Sequence, residues 1–322
     1  MITVVVCAYT TNRWDRLQAA VESVERQSVP AQIVIVIDHN DELHDMCAAR
    51  WPQHHVVANR FAKGLSGARN TGVTEAAGDL IAFLDDDARA REGWLESLED
   101  AFENDLSIGG VGGRVEPDWE VTPPGWLPPE FWWVVGCSYV GLPLTACEVR
   151  NPIGANMAFS RAVFEKVGGF REEIGRIGTI PLGCEETELS IRAGVAGFAV
   201  RYVPDAIVDH WIPPERATPR YFVRRCYAEG LSKAVVSSIA GRADGLQSER
   251  KYVSRTLPSA VLAAARRIAT GPRRGDSVGR VAALVGGVVA AGAGYVRGTA
   301  GYRRRRDPLG PAPALQWDHS ES

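Results

Sequence analysis

Leu80-Ile-Ala-Phe-Leu-Asp-Asp-Asp87 is the stretch on which the interpretation of this chain depends, because five apolar residues lead directly into three carboxylates. The apolar run predicts a strand from Leu80 to Leu84 that is buried on both faces. Three adjacent carboxylates repel one another unless a positive group lies between them, and at the carboxyl end of a parallel strand that group is often a metal ion. The alternative is an acidic cap for a helix predicted over 92–103.

Strands and helices alternate on both sides of this stretch. Ile2-Thr-Val-Val-Val-Cys7 is a continuous β-branched run, Ile33–Ile37 is a second buried strand, and Val56-Val57 is a short third one. Apolar residues at helical spacing predict helices over about 12–27, 67–77 and 92–103. Strands that alternate with helices are typical of βαβ units, so we expect an α/β fold on an open, mostly parallel sheet.

The middle of the chain is less regular. Pro117–Gly136 holds five prolines and four of the nine tryptophans, which predicts a long ordered loop or a mobile flap. The elements predicted after it are a strand over 153–159, a helix over 162–167, a glycine-rich loop over 168–183, a helix from Glu185, strands over 199–203 and 207–210, and a helix over 218–240.

The six cysteines form no C-x-x-C pair, and no histidine stands at zinc-like spacing. We therefore expect reduced thiols in a cytosolic protein. The N-terminus opens directly into a strand, without a basic segment and a long apolar run, so a secretory signal is not expected.

The C-terminal part of the chain is basic, although the net charge is only -3. Residues 241–306 carry fourteen Lys and Arg against three Asp and Glu, so the rest of the chain is strongly acidic. Such a segment suits an anionic partner, and the acidic body argues against nucleic acid. The apolar stretch Val281–Val296 is shorter than the roughly 20 residues of a spanning helix. We interpret it, with Arg303–Arg306, as an interfacial or hairpin-like membrane attachment; an ordinary helical cap with a solvated tail is the alternative.

Several motifs, taken in order, resemble the family 2 glycosyltransferases with a GT-A fold, over roughly residues 1–235. In the first half these are Val4-Val-Val-Cys-Ala-Tyr-Thr-Thr-Asn-Arg13, Ile35-Val-Ile-Asp38, Gly64-Leu-Ser-Gly-Ala-Arg-Asn-Thr-Gly72 and Leu84-Asp-Asp-Asp87. In the second half they are Gly154-Ala-Asn-Met-Ala-Phe159, Val167-Gly-Gly-Phe170, Gly183-Cys-Glu-Glu-Thr-Glu-Leu-Ser-Ile-Arg192 and Val208-Asp-His-Trp-Ile212.

The resemblance implies a nucleotide-sugar site and a divalent metal, Mn²⁺ or Mg²⁺. The residues expected to bind the nucleotide sugar are Ala8, Tyr9, Thr10, Arg13, Asp38, Gly64, Arg69, Asn70, Asp85, Asp86 and Asn156. Asp87 and His210 are the expected metal ligands. Several have structural alternatives: Asp38 as a turn residue, Arg69 as a tie to the Asp cluster, and Asn156 as a partner of the backbone.

The resemblance also implies a general base at the start of a helix. Glu186 stands where the family usually has Asp and is one methylene longer, with Glu185 beside it. A pair of carboxylates can raise one pKa towards a value that suits a base. The alternative is acidic first-turn residues that favour the helix dipole, with Glu188 and Arg192 as an i, i+4 pair.

The tryptophan-rich segment and the basic tail indicate the acceptor. Trp132, Trp133, Arg220, Arg224 and Arg225 are the residues predicted to contact the acceptor or a phosphate; for the arginines, contact with a membrane surface is the alternative. The acceptor expected is a lipid-linked sugar or a glycan. More narrowly, the chain resembles enzymes described as glucosyl-dolichyl phosphate glucuronosyltransferases, which implies UDP-glucuronic acid, or UDP-glucose, as the donor.

We thus expect a GT-A domain over 1–240 and a basic, apolar helical extension over 241–322. The expected reaction is inverting sugar transfer, in a cytoplasmic protein held peripherally on the inner face of the cell membrane. A nucleotidyltransferase acting on a sugar phosphate is one alternative, and a non-catalytic carbohydrate-binding protein is the other.

Overall fold

A computed structural model describes residues 1–103, 105, 107–175, 183–240, 252–270, 274–304 and 312–315. The strands within these ranges are β1 (Ile2–Ala8), β2 (Ala31–Ile37), β3 (His55–Ala58), β4 (Leu80–Asp85), β5 (Ala88–Ala90), β6 (Ile108–Trp119), β7 (Cys147–Glu148), β8 (Asn156–Ser160) and β9 (Ala199–Ile212). The α-helices are α1 (Trp14–Glu25), α2 (Asp41–Arg50), α3 (Leu65–Thr74), α4 (Trp94–Glu103), α5 (Arg161–Val167), α6 (Glu185–Val195), α7 (Pro219–Ala240), α8 (Leu257–Thr270) and α9 (Arg274–Arg304).

All nine strands belong to one sheet, in the order β3-β2-β1-β4-β8-β6-β9-β5, with β7 paired to β9. The pairs β1–β2, β1–β4, β2–β3 and β6–β9 are parallel. The pairs β4–β8, β6–β8, β5–β9 and β7–β9 are antiparallel. The predicted α/β sheet with flanking helices is confirmed, but the sheet is mixed, whereas the sequence analysis expected it to be mostly parallel.

Side-chain alternation along the strands builds one apolar layer on each face of the sheet. Val4 and Val6 of β1 pack with Leu17 of α1, while Val5 packs on the opposite face with Val73 of α3. Both faces are covered because parallel strands joined by helices are shielded on either side. Because both faces of β1 are buried, its residues are apolar or β-branched without a break.

Strand β6 lies between β8 and β9 in the sheet, and no sequence pattern predicted it. It begins Ile108-Gly-Gly-Val-Gly-Gly113, and glycine is depleted in strands. The glycines are required by close neighbours: a Cβ at Gly109 would lie 2.6 Å from Phe198, and one at Gly113 would lie 2.0 Å from the Ala206 carbonyl oxygen. The composition therefore reflects close packing, and the segment is a strand despite it.

The segment Pro117–Gly136 has more regular structure than predicted. Its first residues continue β6 as far as Trp119, and Pro129–Val135 form a 3₁₀ helix. Phe131 and Val134 of that helix are buried against α7, α8 and α9. A loop or mobile flap over the whole stretch is thus corrected, because apolar side chains anchor its second part.

The apolar stretch Val281–Val296 lies in one continuous helix, α9, so the hairpin-like arrangement is also corrected. Within the described residues, Gly275–Gly301 has the length and composition that a membrane span requires, a test that core helices of other proteins also pass. Helix α9 packs lengthwise against α7: a Cβ at Gly230 would lie 2.0 Å from the Ala291 carbonyl oxygen. The extension is therefore joined to the rest of the fold, and its predicted start at residue 241 lies outside the described residues.

Candidate active site

The three carboxylates sit where two strands meet. Strand β4 ends at Asp85, and after a turn β5 begins at Ala88, which pairs with His210 of β9. The backbone oxygen of Asp87 accepts a hydrogen bond from Trp211 N at 2.8 Å. This antiparallel ladder brings a histidine 123 positions further along the chain next to the carboxylate cluster.

Asp85, Asp87 and His210 form a group that could hold a divalent cation. One ligand atom from each lies within 4.8 Å of the others, and His210 Nε2 is 3.2 Å from Asp87 Oδ1. Carboxylate oxygens with one imidazole nitrogen suit Mn²⁺ and, less well, Mg²⁺. The family resemblance implies that Asp85 binds the nucleotide sugar. The structure instead places this residue beside the two predicted metal ligands, Asp87 and His210.

Two arginines neutralise part of this charge. Arg13 Nη1 lies 2.7 Å from Asp86 Oδ1 and 3.2 Å from Asp87 Oδ2, and Arg216 Nη2 lies 3.1 Å from Asp87 Oδ2. Burial acts to raise the pKa of Asp87, but His210 and Arg216 outweigh it and hold that pKa well below its usual range. Arg216 is one of four arginines close to Tyr221 in the sequence, and no motif distinguishes it from Arg220, Arg224 and Arg225.

Asp86 shows that negative charge in the cluster is not fully balanced. Its pKa is raised to about 6 by burial and by Asp87 and Asp85, against the opposing effect of Arg13. Its Oδ2 is buried and has no hydrogen-bond partner among the described residues. A divalent cation beside Asp85 and Asp87 would supply the missing positive charge, so the residues present fit a metal.

Asp38 lies at the other end of the same cavity, just after β2. Its Oδ1 accepts from Asn59 Nδ2 at 2.7 Å, and its Oδ2 accepts from Gly64 N at 3.0 Å. Gly64 has φ of 132°, a conformation that favours glycine, and it directly precedes α3. The carboxylate thus fixes the loop before α3 and also lines the cavity, so the turn role and the binding role coexist.

Arg69 connects the two halves of the site. It is 2% exposed, and its Nη1 lies 2.9 Å from Glu185 Oε1. Its Nη2 donates to the Gly154 carbonyl oxygen at 2.9 Å and lies 3.4 Å from Asp85 Oδ1. A single buried guanidinium therefore links the candidate metal group to the pair of glutamates at the start of α6.

The two glutamates differ in what holds them. Glu185 is buried and paired with Arg69, whereas Glu186 is partly exposed to the cavity. Burial, and then the charge of Glu185, raise the pKa of Glu186 to about 7. A carboxylate with such a pKa can accept a proton near neutral pH. Glu188, in contrast, pairs with Arg171 and Arg192 at 2.8 Å each, as the i, i+4 alternative predicted for that residue.

One cavity of about 970 Å³ brings most of the predicted residues together. The predicted site residues that line it are Ala8, Tyr9, Arg13, Asp38, Gly64, Arg69, Asp85, Asp86, Asp87, Trp133, Glu185, Glu186, His210 and Arg225. It is also lined by Lys63, Glu229 and Lys233, whose positions the sequence motifs did not indicate.

Three residues predicted to contact the nucleotide sugar have other roles in the structure. Asn156 is fully buried: its Oδ1 accepts from Trp94 Nε1, and its Nδ2 donates to the carbonyl oxygens of Arg114 and Ala206. Asn70 exchanges two hydrogen bonds with the backbone of Phe170, at 2.7 and 2.8 Å. The Thr10 hydroxyl accepts from Asn12 N. None of the three lines the cavity, because each side chain points to the backbone it supports.

Three residues predicted on the acceptor side also lie outside the cavity. Trp132 packs edge to face on Trp119, with ring centroids 6.4 Å apart. Arg220 and Arg224 are exposed on α7. Of these three arginines of α7, Arg225 turns inward, because it lies about one helical turn beyond Tyr221, which also lines the cavity.

Comparison with known proteins agrees with this arrangement. The sequence model of glycosyl transferase family 2 matches residues 3–168. A glucosyl-dolichyl phosphate glucuronosyltransferase of Haloferax volcanii is 36% identical over 240 residues, which make up 73% of this chain and 77% of that protein.

Two solved structures share the fold. A mannosyltransferase from Pyrobaculum calidifontis, in complex with GDP-mannose and Mn²⁺, superposes with a TM-score of 0.57 at 17% identity, over 90% of this chain and 86% of that one. GalNAc-T7 with UDP, GalNAc and Mn²⁺ superposes with a TM-score of 0.52 at 19% identity, over 74% and 49%. The likeness confirms the predicted GT-A fold.

The family match includes β1, the turn after β2, α3 and the end of β4, so it covers Asp38, Arg69 and the three carboxylates themselves. The match therefore extends to the carboxylates and Arg69 at this end of the site, whereas Glu185, Glu186 and His210 lie beyond residue 168. The chain belongs to glycosyl transferase family 2 and is an inverting, metal-dependent glycosyltransferase.

Proposed function

We propose that this glycosyltransferase takes glucuronic acid from UDP-glucuronic acid and transfers it to a lipid-linked acceptor. The observation that carries the proposal is the single cavity onto which Asp87, His210 and Glu186 all open. The name of the Haloferax relative supports both the sugar and the lipid-linked acceptor. UDP-glucose as donor and a free glycan as acceptor are the outcomes that the experiments below must distinguish.

In this proposal the donor lies between Asp38 and the carboxylate cluster. The Asp38 carboxylate contacts Asn59, Gly64 and His39, and its remaining lone pairs can accept from the uracil N–H or a ribose hydroxyl. Asp85, Asp87 and His210 would hold Mn²⁺ or Mg²⁺, and the ion would supply positive charge against the leaving diphosphate. Arg13 and Arg216 already face this group and add fixed positive charge to it.

Glu186 is the proposed base. Its carboxylate takes the proton of the acceptor hydroxyl, and the oxygen attacks the anomeric carbon of the sugar. The bond from that carbon to the diphosphate breaks on the opposite side, UDP leaves, and the configuration inverts. Arg69 fixes Glu185 next to this residue, and burial together with the Glu185 carboxylate raises the pKa of Glu186 to about 7, so that Glu186 can accept the proton near neutral pH.

The donor is tested by thermal shift with UDP-glucuronic acid, UDP-glucose, GDP-mannose and dTDP-glucose, each with and without Mn²⁺. A Mn²⁺-dependent rise of the melting temperature that is largest for UDP-glucuronic acid is expected, because a ligand that binds only the folded state stabilises it. A larger response to either GDP-mannose or dTDP-glucose would contradict the proposed nucleotide.

We also propose that the protein is held peripherally at the inner face of the cell membrane by α9. Val285, Val289 and Val296 are exposed along this helix, and residues 241–306 are strongly basic. Val289→Glu should reduce sedimentation with vesicles that contain phosphatidylglycerol. Val195→Glu, at an exposed valine of α6, is the matched control, and equal loss in both variants would contradict the attachment through α9.

A further inference from the structure

Part of the cavity wall, here called the second arm, lies on elements that carry none of the residues proposed to bind the donor. This arm runs between the 3₁₀ helix Pro129–Val135, α7 and α9. On one side it is lined by Trp133 and Leu142, and on the other by the α9 residues Val288, Gly292 and Tyr295. It is therefore mostly apolar, in contrast to the charged end that holds Asp85 and Asp87.

The arm begins at a buried group of charges on α7. Arg225 Nη1 lies 2.9 Å from Glu229 Oε2, and Lys233 Nζ lies 3.5 Å from Glu229 Oε1. Arg225 and Lys233 thus both pair with Glu229, and all three side chains line the cavity. Lys233 and Glu229 also act electrostatically on Glu186, so this cluster is adjacent to the proposed base. An anionic group would be favoured there.

Helix α9 is closely packed against α7 on one side, and on another side it borders open space at Gly292. Gly294 and Gly230 allow α9 and α7 to touch: a Cβ at Gly294 would lie 2.0 Å from the Tyr227 carbonyl oxygen. At Gly292 a Cβ would meet no atom within 4 Å, although the residue lines the cavity. The helix is fixed by close packing, and the space beside Gly292 remains free.

The arm reaches the protein surface along the apolar stripe of α9. Val288 is 36% exposed and Gly292 is exposed, yet both also line the cavity. The neighbouring Val289 and Val285 are exposed by 65% and 52%. The apolar chain of a ligand could therefore lie along this stripe and the α9 wall of the cavity, with its polar end toward Arg225, Lys233 and Glu186.

We propose that this arm binds the apolar chain of the acceptor, a long-chain prenyl phosphate that carries a sugar. The chain lies against Val288, Gly292 and Tyr295, its phosphate lies beside Arg225 and Lys233, and the hydroxyl of its sugar reaches Glu186. This assignment rests on the proposed function, since it names the acceptor subsite of the same reaction.

Gly292→Leu tests the arm, because the leucine side chain would occupy the free space. Gly286→Leu is the matched control: it lies on the same helix, its Cβ would also meet no atom within 4 Å, and it does not line the cavity. Both changes replace glycine by a better helix former, so propensity cancels in the comparison. UDP binding in the presence of Mn²⁺ checks that each variant is folded.

The probe is geranylgeranyl phosphate, titrated calorimetrically into the full chain. We expect Gly292→Leu to weaken binding by roughly tenfold or more, as overfilling a packed site does, and Gly286→Leu to retain wild-type affinity. Equal affinities in both variants, or an equal loss in both, would overturn the proposal, as would wild-type protein that binds no geranylgeranyl phosphate.

A transfer assay separates this proposal from the proposed function. If binding depends on Gly292 but no glucuronic acid is transferred to glucosyl prenyl phosphate, the prenyl-chain subsite stands and the proposed reaction fails. If transfer proceeds and Gly292→Leu has the same acceptor KM as Gly286→Leu, the reaction stands and the assigned subsite is wrong.

Discussion

The two ends of the cavity are built on different physical grounds. At the donor end, charged groups at the ends of strands are buried and paired, as Asp87 is with Arg13, His210 and Arg216. At the other end, small residues of α9 leave space beside apolar side chains. The donor end depends on which charges are present, whereas the α9 end depends on volume. Substitutions should therefore act through charge at the first and through size at the second.

The largest effect is expected at the carboxylate cluster. Asp87→Asn removes the charge while keeping the shape, and should reduce transfer by about 10³-fold, because metal-assisted charge stabilisation contributes several kcal/mol. Titration of UDP with and without Mn²⁺ checks the cause: the variant should lose the Mn²⁺-dependent part of UDP affinity. Retention of that part would show that Asp87 is not a metal ligand.

Glu186→Gln comes next. Loss of a general base should lower kcat by about 10²–10³-fold, while affinity for UDP stays close to that of the wild type. The same change should raise the melting temperature more at pH 8 than at pH 5. The raised pKa means that ionised Glu186 is less favourable in the folded than in the unfolded state, and this penalty is fully present only above pH 7. An unchanged kcat would exclude Glu186 as the base.

The pH dependence gives a smaller effect in the wild-type protein. The base must be ionised, so kcat/KM should rise with pH and level off above about pH 7, falling about tenfold per unit below it. Initial rates between pH 5.5 and 8.5 with saturating Mn²⁺ measure this rise of kcat/KM with pH. Glu186→Gln, assayed in the same buffers, should show no such rise. A rise that persisted in this variant would mean that another group titrates.

Asn156→Ala should affect stability more than catalysis. It leaves the Trp94 indole N–H and the carbonyl oxygens of Arg114 and Ala206 buried without their partner, and should cost about 3 kcal/mol of unfolding free energy. Urea unfolding measures this cost. At a temperature where the variant is folded, its KM for the donor should stay within about twofold of the wild-type value. Asn156 does not line the cavity, so its hydrogen bonds should not contribute to donor binding. A large rise of that KM with normal stability would restore the role that the motif suggested.

The smallest effect is expected at Arg220. Its side chain is exposed on α7 outside the cavity, so Arg220→Gln should change transfer less than twofold, as exposed charges usually do. Arg225→Gln is the inward-facing counterpart and should raise the acceptor KM by about tenfold. Equal effects on the acceptor KM would show that position relative to the cavity does not decide the role of these arginines.

The sequence predicted the parts of the fold where pattern and burial coincide. β1, β2 and β4 are buried on both faces, so their residues are continuously apolar, and α6 begins at Glu185 as expected. β6 was missed because its glycines reflect neighbours that are distant in sequence, such as Phe198. The sheet is mixed because β8 runs antiparallel to β4, a direction that no local pattern encodes.

The site was predicted by residue identity, and identity does not give side-chain direction. Asp38, Arg69 and Glu186 lie at the cavity as expected. Asn70 and Asn156 stand in equally specific motifs, yet their amides bond the protein itself: Asn70 the backbone of Phe170, and Asn156 two backbone carbonyl oxygens and the Trp94 indole. An asparagine whose amide bonds the protein itself and an asparagine whose amide binds a ligand look identical in a sequence. Only the surrounding fold distinguishes them.

The glycines of β6 have a consequence for how this chain tolerates change. At Gly109, Gly110, Gly112 and Gly113 the limiting contact comes from a neighbour, at 2.0 to 2.6 Å from the added Cβ. Even alanine is excluded there unless the backbone or a neighbouring ring moves. In a saturation library these four positions should be among the most intolerant in the protein, although none of them carries a side chain or touches the carboxylates. Mutational sensitivity would then mark the centre of the sheet as strongly as the catalytic residues.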